Sequence, residues 1–198
     1  MSAEPILRLE ALDLARRAAS GDTAATAELL RLLAPEMRRV VVGVMGSQSP
    51  DVDDALQQSL IGLIHALPAF RGECAPAGYA CRIAFRTALA VRTSSRRHTV
   101  NRRDADEAHE LVSKDRPDTD LFGQRRTEIV RTLLEELPRE QAEALAMRTM
   151  MGWSLEEIAS SCEAPVNTVR SRLRLAKDAL RKKIESDPAL LELLGNPS

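Results

Sequence analysis

Apolar residues recur every three or four positions along most of this 198-residue chain, and this periodicity predicts packed helices. Ala, Leu, Arg and Glu, which are all strong helix formers, dominate throughout. No run of alternating Val, Ile, Thr and aromatic residues predicts a β-strand. Because only 3% of the residues are aromatic, the core must consist mainly of Leu, Ile, Val, Ala and Met. We therefore expect an all-α protein.

Interruptions of this periodicity divide the chain into two small helical domains. The first spans residues 5–97 and contains turn sequences such as SGD and GSQSP. Residues 98–124 are rich in charge and poor in large apolar side chains, so they cannot bury enough surface to fold alone. We expect them to form a flexible polar linker, followed by a second domain over residues 125–185 and a tail over residues 186–198.

The composition argues against a membrane protein, a secreted protein and a metalloprotein. No stretch reaches the roughly 18 to 20 apolar residues that cross a membrane, and the first helical pattern is charged from Glu4 onward. Cys74, Cys81 and Cys162 lack the spacing of zinc ligands, which favours reduced thiols in or near a core, although a redox role for Cys74 and Cys81 stays open. We expect a cytoplasmic protein without a cofactor or a metal ion.

The second domain contains a helix-turn-helix pattern. Ser154 and Glu157 have the spacing of a capping box, in which each side chain bonds the backbone N–H of the other residue, so a helix begins at Leu155. The sequence CEAP forms a short turn, and another helix begins at Pro165 or Val166. Two short helices joined by a tight turn, with a basic second helix, are typical of proteins that read DNA.

The basic helix is amphipathic in a way that suits the DNA major groove. At roughly 100° per residue, Val169, Leu173 and Ala176 fall on one stripe, and a neighbouring stripe is basic. Arginine can pair with guanine or clamp phosphates, and small polar residues near the helix start can bond phosphates or base edges. The candidate DNA contacts are Asn167, Thr168, Arg170, Ser171, Arg174 and Lys177. The alternative is a solvated basic face on a helical bundle.

A second basic segment lies at the end of the first domain, in and after a helix expected over residues 78–92. Residues 82–103 contain seven arginines and no acidic residue, with Ser and Thr interleaved, which favours contact with phosphates. Phe70, Tyr79 and Phe85 flank this segment and either stack on bases or pack in the core. Two basic patches on separate domains predict a protein that holds DNA at two points.

The third helical pattern carries the opposite charge. Its polar face consists of Asp51, Asp53, Asp54, Gln57 and Gln58, and its apolar set is Leu56, Leu60, Leu63, Ile64 and Leu67. The polar face does not suit DNA, but it suits a basic protein partner. A bias of acidic residues toward the positive end of the helix would also explain the aspartates.

These segments, in this order, resemble the extracytoplasmic-function (ECF) group of bacterial RNA polymerase sigma factors. ARRAASGDTAATAELLRLLAPEMRRV looks like the opening helices of that family, and DVDDALQQSLIGLIHALPAFRGE looks like its polymerase-binding helix and the start of its melting loop. GYACRIAFRTALAVRTSSRR is similar to its −10 promoter-recognition helix. The stretch from LPREQAEALAMRTMMGWSLEEIASS to KDALRKKI is similar to its −35-reading domain.

The resemblance implies transcription initiation and gives each face a role. The docking face for the beta-prime coiled coil of core RNA polymerase would consist of Asp51, Asp53, Asp54, Gln57 and Gln58. Other polymerase subunits would provide further contacts. The six candidate contacts of the second domain would read the −35 element of promoter DNA. The −10 element would be bound and melted, without a chemical step, through Arg71, Tyr79, Arg82, Arg86, Arg92, Arg96 and Arg97. The family also implies an anti-sigma partner.

The chain departs from the family pattern at several positions. Leu60 and Ile64 stand where the polymerase-binding helix usually carries aromatic residues, and Tyr79 stands where the family often has Trp. Arg86 occupies a position usually held by Asn. Glu163 replaces the customary turn glycine of the helix-turn-helix, so the turn is either strained or different in shape.

Other functions fit parts of the sequence. A decoy that mimics a sigma factor could occupy an anti-sigma protein, although a decoy would not need two DNA-facing patches. An ordinary helix-turn-helix regulator would leave the acidic face at residues 51–58 unexplained and would normally be a dimer. A helical enzyme is disfavoured, because His65, His98 and His109 have no triad or metal-ligand spacing.

Overall fold

The computed structural model describes residues 4–105, 121–188, 190 and 191. In chain order the helices are α1 (Glu4–Ala19), α2 (Thr23–Met45), α3 (Val52–Ala66), α4 (Pro76–Ala105), α5 (Leu121–Glu136), α6 (Arg139–Met150), α7 (Leu155–Ser161) and α8 (Val166–Ser186). A short 3-10 helix, Leu67–Ala69, follows α3. These residues include no β-strand, which confirms the all-α prediction. Within the same residues, no helix has both the length and the apolar character of a membrane span.

The core of the first domain is built around α2, which packs against α1, α3 and α4. Leu29, Met37 and Val41 repeat at helical spacing on one face of α2, and all three are fully buried. Each such side chain contributes about 1.5–3 kcal/mol by leaving water. Phe70 and Phe85 are buried in the same core. Of the two interpretations of these aromatic residues, core packing is therefore confirmed.

The turns predicted around α2 are present. Gly21 and Gly46 have φ angles of 95° and 92°, a region that glycine enters at little cost. Asp22 caps α2, because its carboxylate accepts from the Ala25 N–H at 3.0 Å and pairs with Arg17 at 2.7 Å. The bond from Ala25, together with Arg17, holds the pKa of Asp22 below its usual value. Asp22 therefore stays ionised as a helix cap at neutral pH.

The second domain contains the expected helix-turn-helix in α7 and α8. Ser154 Oγ accepts from the Glu157 N–H at 3.1 Å, and the Glu157 carboxylate accepts from the Ser154 N–H at 2.8 Å, so the capping box is formed. The predicted apolar stripe of α8, represented by Val169, Leu173 and Ala176, is buried. It packs into a core shared with α6 and α7.

The turn between α7 and α8 is strained at Glu163. This residue has a φ of 50°, and the left-handed conformation costs about 1–2 kcal/mol for a residue with a Cβ atom. The Glu163 N–H donates to the Ser160 carbonyl at 3.2 Å, and the Ala164 N–H donates to the Ala159 carbonyl at 3.0 Å. These two bonds form a Schellman motif, whose left-handed position is usually glycine. The strain alternative is therefore the correct one.

Three elements differ from the sequence-based prediction. Helix α4 continues to Ala105, past its expected end near Arg92 and into the segment assigned to the linker. Ile64, which was counted with the apolar set of α3, is 41% exposed. At the other end of the linker, α5 already begins at Leu121, before the predicted boundary at residue 124. Linker residues 106–120 and tail residues 189 and 192–198 lie outside the described residues.

The two domains pack together along α4, a contact that the sequence did not predict. Ala142 and Ala146 of α6 are buried in the core of the first domain. Met150, at the end of α6, lies over Gly43 of α2, where an added Cβ would meet the Met150 methyl group at 2.0 Å. The core of the first domain therefore continues into the second.

Candidate functional site

Helix α8 presents its predicted polar face to solvent. Val169 and Leu173 anchor its apolar side in the domain, so the residues on the opposite side of the helix point away from the domain. The exposed candidates are Asn167, Arg170, Ser171, Arg174 and Lys177, whereas Thr168 is half-buried. The structure thus brings all six candidate DNA contacts together on one helix face. Arg181 lines the same groove beside α7 and extends the basic surface by one turn.

Polar contacts along this face are local and exposed. Arg170 donates to Asn167 Oδ1 at 2.8 Å, and Arg174 lies 3.8 Å from the carboxylate of Asp178. Exposed pairs of this kind contribute little to folding stability. The guanidinium groups can therefore exchange these partners for an incoming ligand at small cost.

Helix α3 turns most of its predicted polar face to solvent. The exposed members are Asp53, Asp54, Gln57 and Gln58. Gln58 donates to the Asp54 carboxylate at 2.7 Å. Asp51 differs from the others, because it is half-buried and accepts from Ser95 Oγ of α4 at 2.8 Å. Asp51 therefore helps to fix α3 against α4.

Two exposed apolar side chains extend the α3 face. Ile61 and Ile64 are 45% and 41% exposed, and Ile61 lies two turns after Asp54 on the same side of the helix. Ile61 is not among the residues predicted from the sequence, although its position off the buried stripe of α3 was a signal. Apolar side chains within an exposed polar face are typical of a protein-binding surface.

The residues predicted to bind the −10 element differ in their exposure to solvent. Arg71, Arg96 and Arg97 are exposed, Tyr79, Arg82 and Arg86 are half-buried, and Arg92 is buried. The covered arginines face the second domain. The predicted basic patch on α4 is therefore not an open surface in this structure.

Arg86 of α4 pairs with Glu143 of α6, which is the most buried of the glutamates that contact the α4 arginines. Arg86 Nε and Nη2 donate to the two carboxylate oxygens, the second at 3.0 Å, and the Glu143 side chain is only 2% exposed. The hydrogen bond to Glu143 raises the pKa of Arg86 above its ordinary value against the opposing effect of burial. Removing either partner of such a pair would leave the other without its counter-charge at the interface.

Arg92 connects α4 to two glutamates of α5. Its Nε lies 2.5 Å from Glu135, and its Nη2 lies 2.6 Å from Glu128. Burial alone would lower the pKa of Arg92, but the hydrogen bonds to Glu128 and Glu135 outweigh it and leave that pKa raised. Arg96 adds a contact of 3.1 Å to the second oxygen of Glu135. Arg92 also donates to the carbonyl of Met45 at 3.3 Å, which ties the network to α2.

Arg82 connects α4 to α7. It donates to the Ser161 carbonyl at 2.6 Å and lies 3.9 Å from the carboxylate of Glu163. The Ser161 hydroxyl donates to the carbonyl of Gly78 at 3.1 Å. Arg82 also lies over the Tyr79 ring at 5.7 Å, a cation–π distance. The start of α4 is therefore bonded to the helix-turn-helix at several points.

Three glutamates that complete these contacts, Glu128, Glu135 and Glu143, are absent from the residues predicted from the sequence. Glu143 offered a signal, because it lies among Ala142, Ala144 and Leu145 within the buried part of α6. A charged residue inside an apolar segment is almost never fully buried unless it is paired. Glu128 and Glu135 offered none, since glutamates are common on exposed helix faces.

The three cysteines lie in or near the core, as expected from the sequence. Cys74 and Cys81 are buried, and Cys162 is half-buried. Burial raises the pKa of each, and for Cys81 to about 12. They stay protonated near neutral pH, which disfavours the redox alternative.

Comparison with known families matches both domains. The model described as Sigma-70 region 2 matches residues 29–99, and the model described as Sigma-70, region 4 matches residues 127–180. The first match covers most of α2 together with α3 and most of α4. The second covers α6 and α7 together with most of α5 and α8.

Individual proteins and one solved structure are similar to the chain over most of its length. The ECF RNA polymerase sigma-E factor of Salmonella typhimurium is 34% identical over 144 residues, which are 69% of this chain and 75% of that protein. The sigma-E factor of Escherichia coli strain K12 is 33% identical over the same coverage. The structure of CnrH in complex with the cytosolic domain of CnrY has a TM-score of 0.53 and 21% identity, covering 90% of this chain and 99% of CnrH; it shows likeness of fold.

Proposed function

The chain belongs to the ECF group of RNA polymerase sigma factors and directs promoter-specific transcription initiation, and we propose that three of its surfaces share this task. The family consists of initiation factors, and we infer that this chain has no catalytic activity of its own. In our assignment, residues 5–97 dock on polymerase and recognise the −10 element. Residues 125–185 recognise the −35 element, and residues 98–124 join the two domains.

The exposed face of α3 is the proposed docking surface for core RNA polymerase. Its carboxylates and amides suit a basic partner surface, and Ile61 and Ile64 add the apolar area that a stable contact needs. The proposed partner is the beta-prime coiled coil. Asp51 takes part at the edge of this surface while its bond to Ser95 holds α3 in place.

The exposed face of α8 is the proposed reader of the −35 element. Asn167, Thr168, Arg170, Ser171, Arg174 and Lys177 project from a helix whose opposite side is fixed in the domain core. This is the geometry of a recognition helix that enters the major groove. The arginines can pair with guanine, and the others can bond phosphates or base edges.

Helix α4 as far as Arg97 and the loop before it are the proposed site for the −10 element. Arg71, Arg96 and Arg97 are exposed, whereas Tyr79, Arg82, Arg86 and Arg92 need the second domain to move before DNA can reach them. Tyr79 offers a ring for base stacking, supported by Arg82 above it. Strand separation would be driven by binding of the single strand.

The observation that carries this proposal is the segregation of charge onto two exposed helix faces. The α3 face is acidic and the α8 face is basic, although the chain has 28 basic and 29 acidic residues. A nucleic-acid-binding protein that must also hold a basic protein partner needs both faces at once. An ordinary helix-turn-helix regulator would need only the second.

We also propose a cytoplasmic location and regulation by an anti-sigma factor. Both follow from membership of the family. CnrH, whose fold is similar, is known in complex with the cytosolic domain of another protein, CnrY. Such a partner would act by covering surfaces that polymerase or DNA needs.

The direct test is reconstituted transcription with the full chain, core polymerase and a pool of genomic promoter fragments. We expect a defined subset of promoters to give transcripts that core polymerase alone does not produce. A chain that binds core polymerase but directs no transcript from any fragment would support the decoy alternative instead.

Asp54→Lys should weaken the binding of core polymerase about tenfold or more, because it places a positive charge at the centre of the proposed docking face. The matched control is Glu10→Lys, the same charge change at an exposed position on α1. Binding is measured by fluorescence anisotropy with a labelled chain. Equal affinities for the two variants would remove α3 from the docking surface.

Arg170→Ala should reduce affinity for a promoter with its own −35 sequence by about 1–3 kcal/mol, the usual cost of a lost bidentate base contact. The same substitution should have a much smaller effect on a promoter with a scrambled −35 element. Equal losses on the two promoters would identify a phosphate contact rather than a base contact.

A further inference from the structure

Four arginines of α4 are engaged by the second domain. Arg82 contacts α7, Arg86 contacts α6, and Arg92 and Arg96 contact α5. At 100° per residue they lie within about a third of the helix circumference. They therefore form a row that faces the second domain along several turns of α4.

The groups that hold this row include carboxylates with the binding chemistry of a DNA phosphate. Arg86 binds both oxygens of Glu143, and Arg92 and Arg96 share the two oxygens of Glu135. The guanidinium fork pairs with carboxylates and phosphates in the same geometry. Among the described residues, no buried side-chain nitrogen or oxygen lacks a hydrogen-bond partner. The contact is chemically complete without DNA.

The backbones at the contact are also closely fitted. A Cβ added at Gly78 of α4 would lie 3.2 Å from the Cβ of Ser161 and 3.3 Å from the Trp153 ring. The Ser160 hydroxyl of α7 donates to the carbonyl of Glu73, just before α4, at 3.3 Å. Together with the packing of Met150 over Gly43, these contacts indicate a specific, closely packed interface.

The interface covers one functional surface and leaves two open. The polar face of α8 and the outer face of α3 are exposed, while Arg82, Arg86 and Arg92 of α4 are covered. In this arrangement polymerase and the −35 element can reach their proposed sites, and the −10 element cannot reach the full row.

We propose that the second domain closes over α4 and holds the free chain in an autoinhibited form, its glutamates occupying arginines that −10 DNA would bind. This inference rests on the proposed role of α4 in −10 recognition. Arg86, which pairs with the buried Glu143, is one of the positions at which the chain departs from the family pattern.

Opening then depends on ligands that prefer the open form. A ligand shifts an equilibrium only by its difference in affinity for the two states. DNA at α4 binds the open form alone and draws the domains apart, whereas −35 DNA at α8 binds both forms and does not open the chain. The α4 arginines therefore bind the −10 element only when further contacts stabilise the open form.

A disulfide lock tests the proposal in the full chain. Gly78→Cys with Ser161→Cys places two Cβ atoms near 3.2 Å, a few tenths of an ångström below the usual spacing in a disulfide. Cys74 and Cys162 lie near this pair and are replaced by alanine in the background. We expect oxidation to lower promoter-directed transcription about tenfold or more, in proportion to the loss of the open form, and a reductant to restore it. Gly78→Cys alone, treated with the same oxidant, is the control and should transcribe normally.

A second variant releases the interface without touching a proposed DNA contact. Glu128→Gln with Glu135→Gln removes the charges that hold Arg92 and Arg96. We expect binding of a single-stranded −10 oligonucleotide from the non-template strand to rise about three- to tenfold, because the competent fraction increases. Glu136→Gln is the matched control: Glu136 is on the same helix but pairs with Lys183 of its own domain at 2.8 Å.

The outcomes separate this inference from the function on which it rests. A wild-type chain that directs no transcription contradicts the proposed function. If wild type transcribes and the oxidised lock does so equally well, autoinhibition through α4 is wrong. It is also wrong if the lock loses core polymerase binding to the same degree as transcription, since closure would then hide the docking face instead. Unchanged oligonucleotide binding by the released variant contradicts the role of Glu128 and Glu135.

Discussion

The ion pair between Arg86 and Glu143 is the interaction on which the arrangement of the two domains depends. Glu143 is almost completely buried, and the Arg86 guanidinium meets both of its carboxylate oxygens. This pair fixes α6 against α4, and the neighbouring Ala142 and Ala146 are small enough to let the helices approach. The contacts of α5 and α7 with α4 continue on either side of the same junction.

In our proposal α4 has two sets of partners, which gives the position of this junction functional meaning. Carboxylates of the second domain would compete with phosphates of DNA for the same guanidinium groups, so that one surface would serve both structure and recognition. A buried salt bridge is weak evidence for stability, but it specifies one arrangement well, since any displaced geometry leaves a buried charge unpaired. In our account the closed form is therefore well defined but can be exchanged for a DNA-bound one at modest net cost.

Local patterns in the sequence were sufficient to predict most of the fold and the exposed polar faces of α3 and α8. The capping box at Ser154, the apolar stripe of α8 and the aspartates of α3 each act within one helix, so spacing alone predicted where they lie. For the turn at Glu163 the sequence left strain and a different shape open, and the structure shows the left-handed, strained form. What spacing did not predict was the docking of α5, α6 and α7 on α4. That contact joins residues 36 to 83 positions apart through side-chain bonds, and no periodicity records such pairs. The arginines of α4 look alike in the sequence, yet Arg92 is buried and Arg97 is exposed, because only the packed structure distinguishes their neighbours.

A distance measurement between the domains tests the closed arrangement most directly. Spin labels at Arg38→Cys on α2 and Lys182→Cys on α8, both exposed positions, report the separation by pulsed electron paramagnetic resonance when the native cysteines are replaced by alanine. We expect a single narrow distance distribution in the free chain, and a shift to longer distances when core polymerase and promoter DNA are added. A broad distribution in the free chain, or one that DNA and polymerase leave unchanged, would contradict the account.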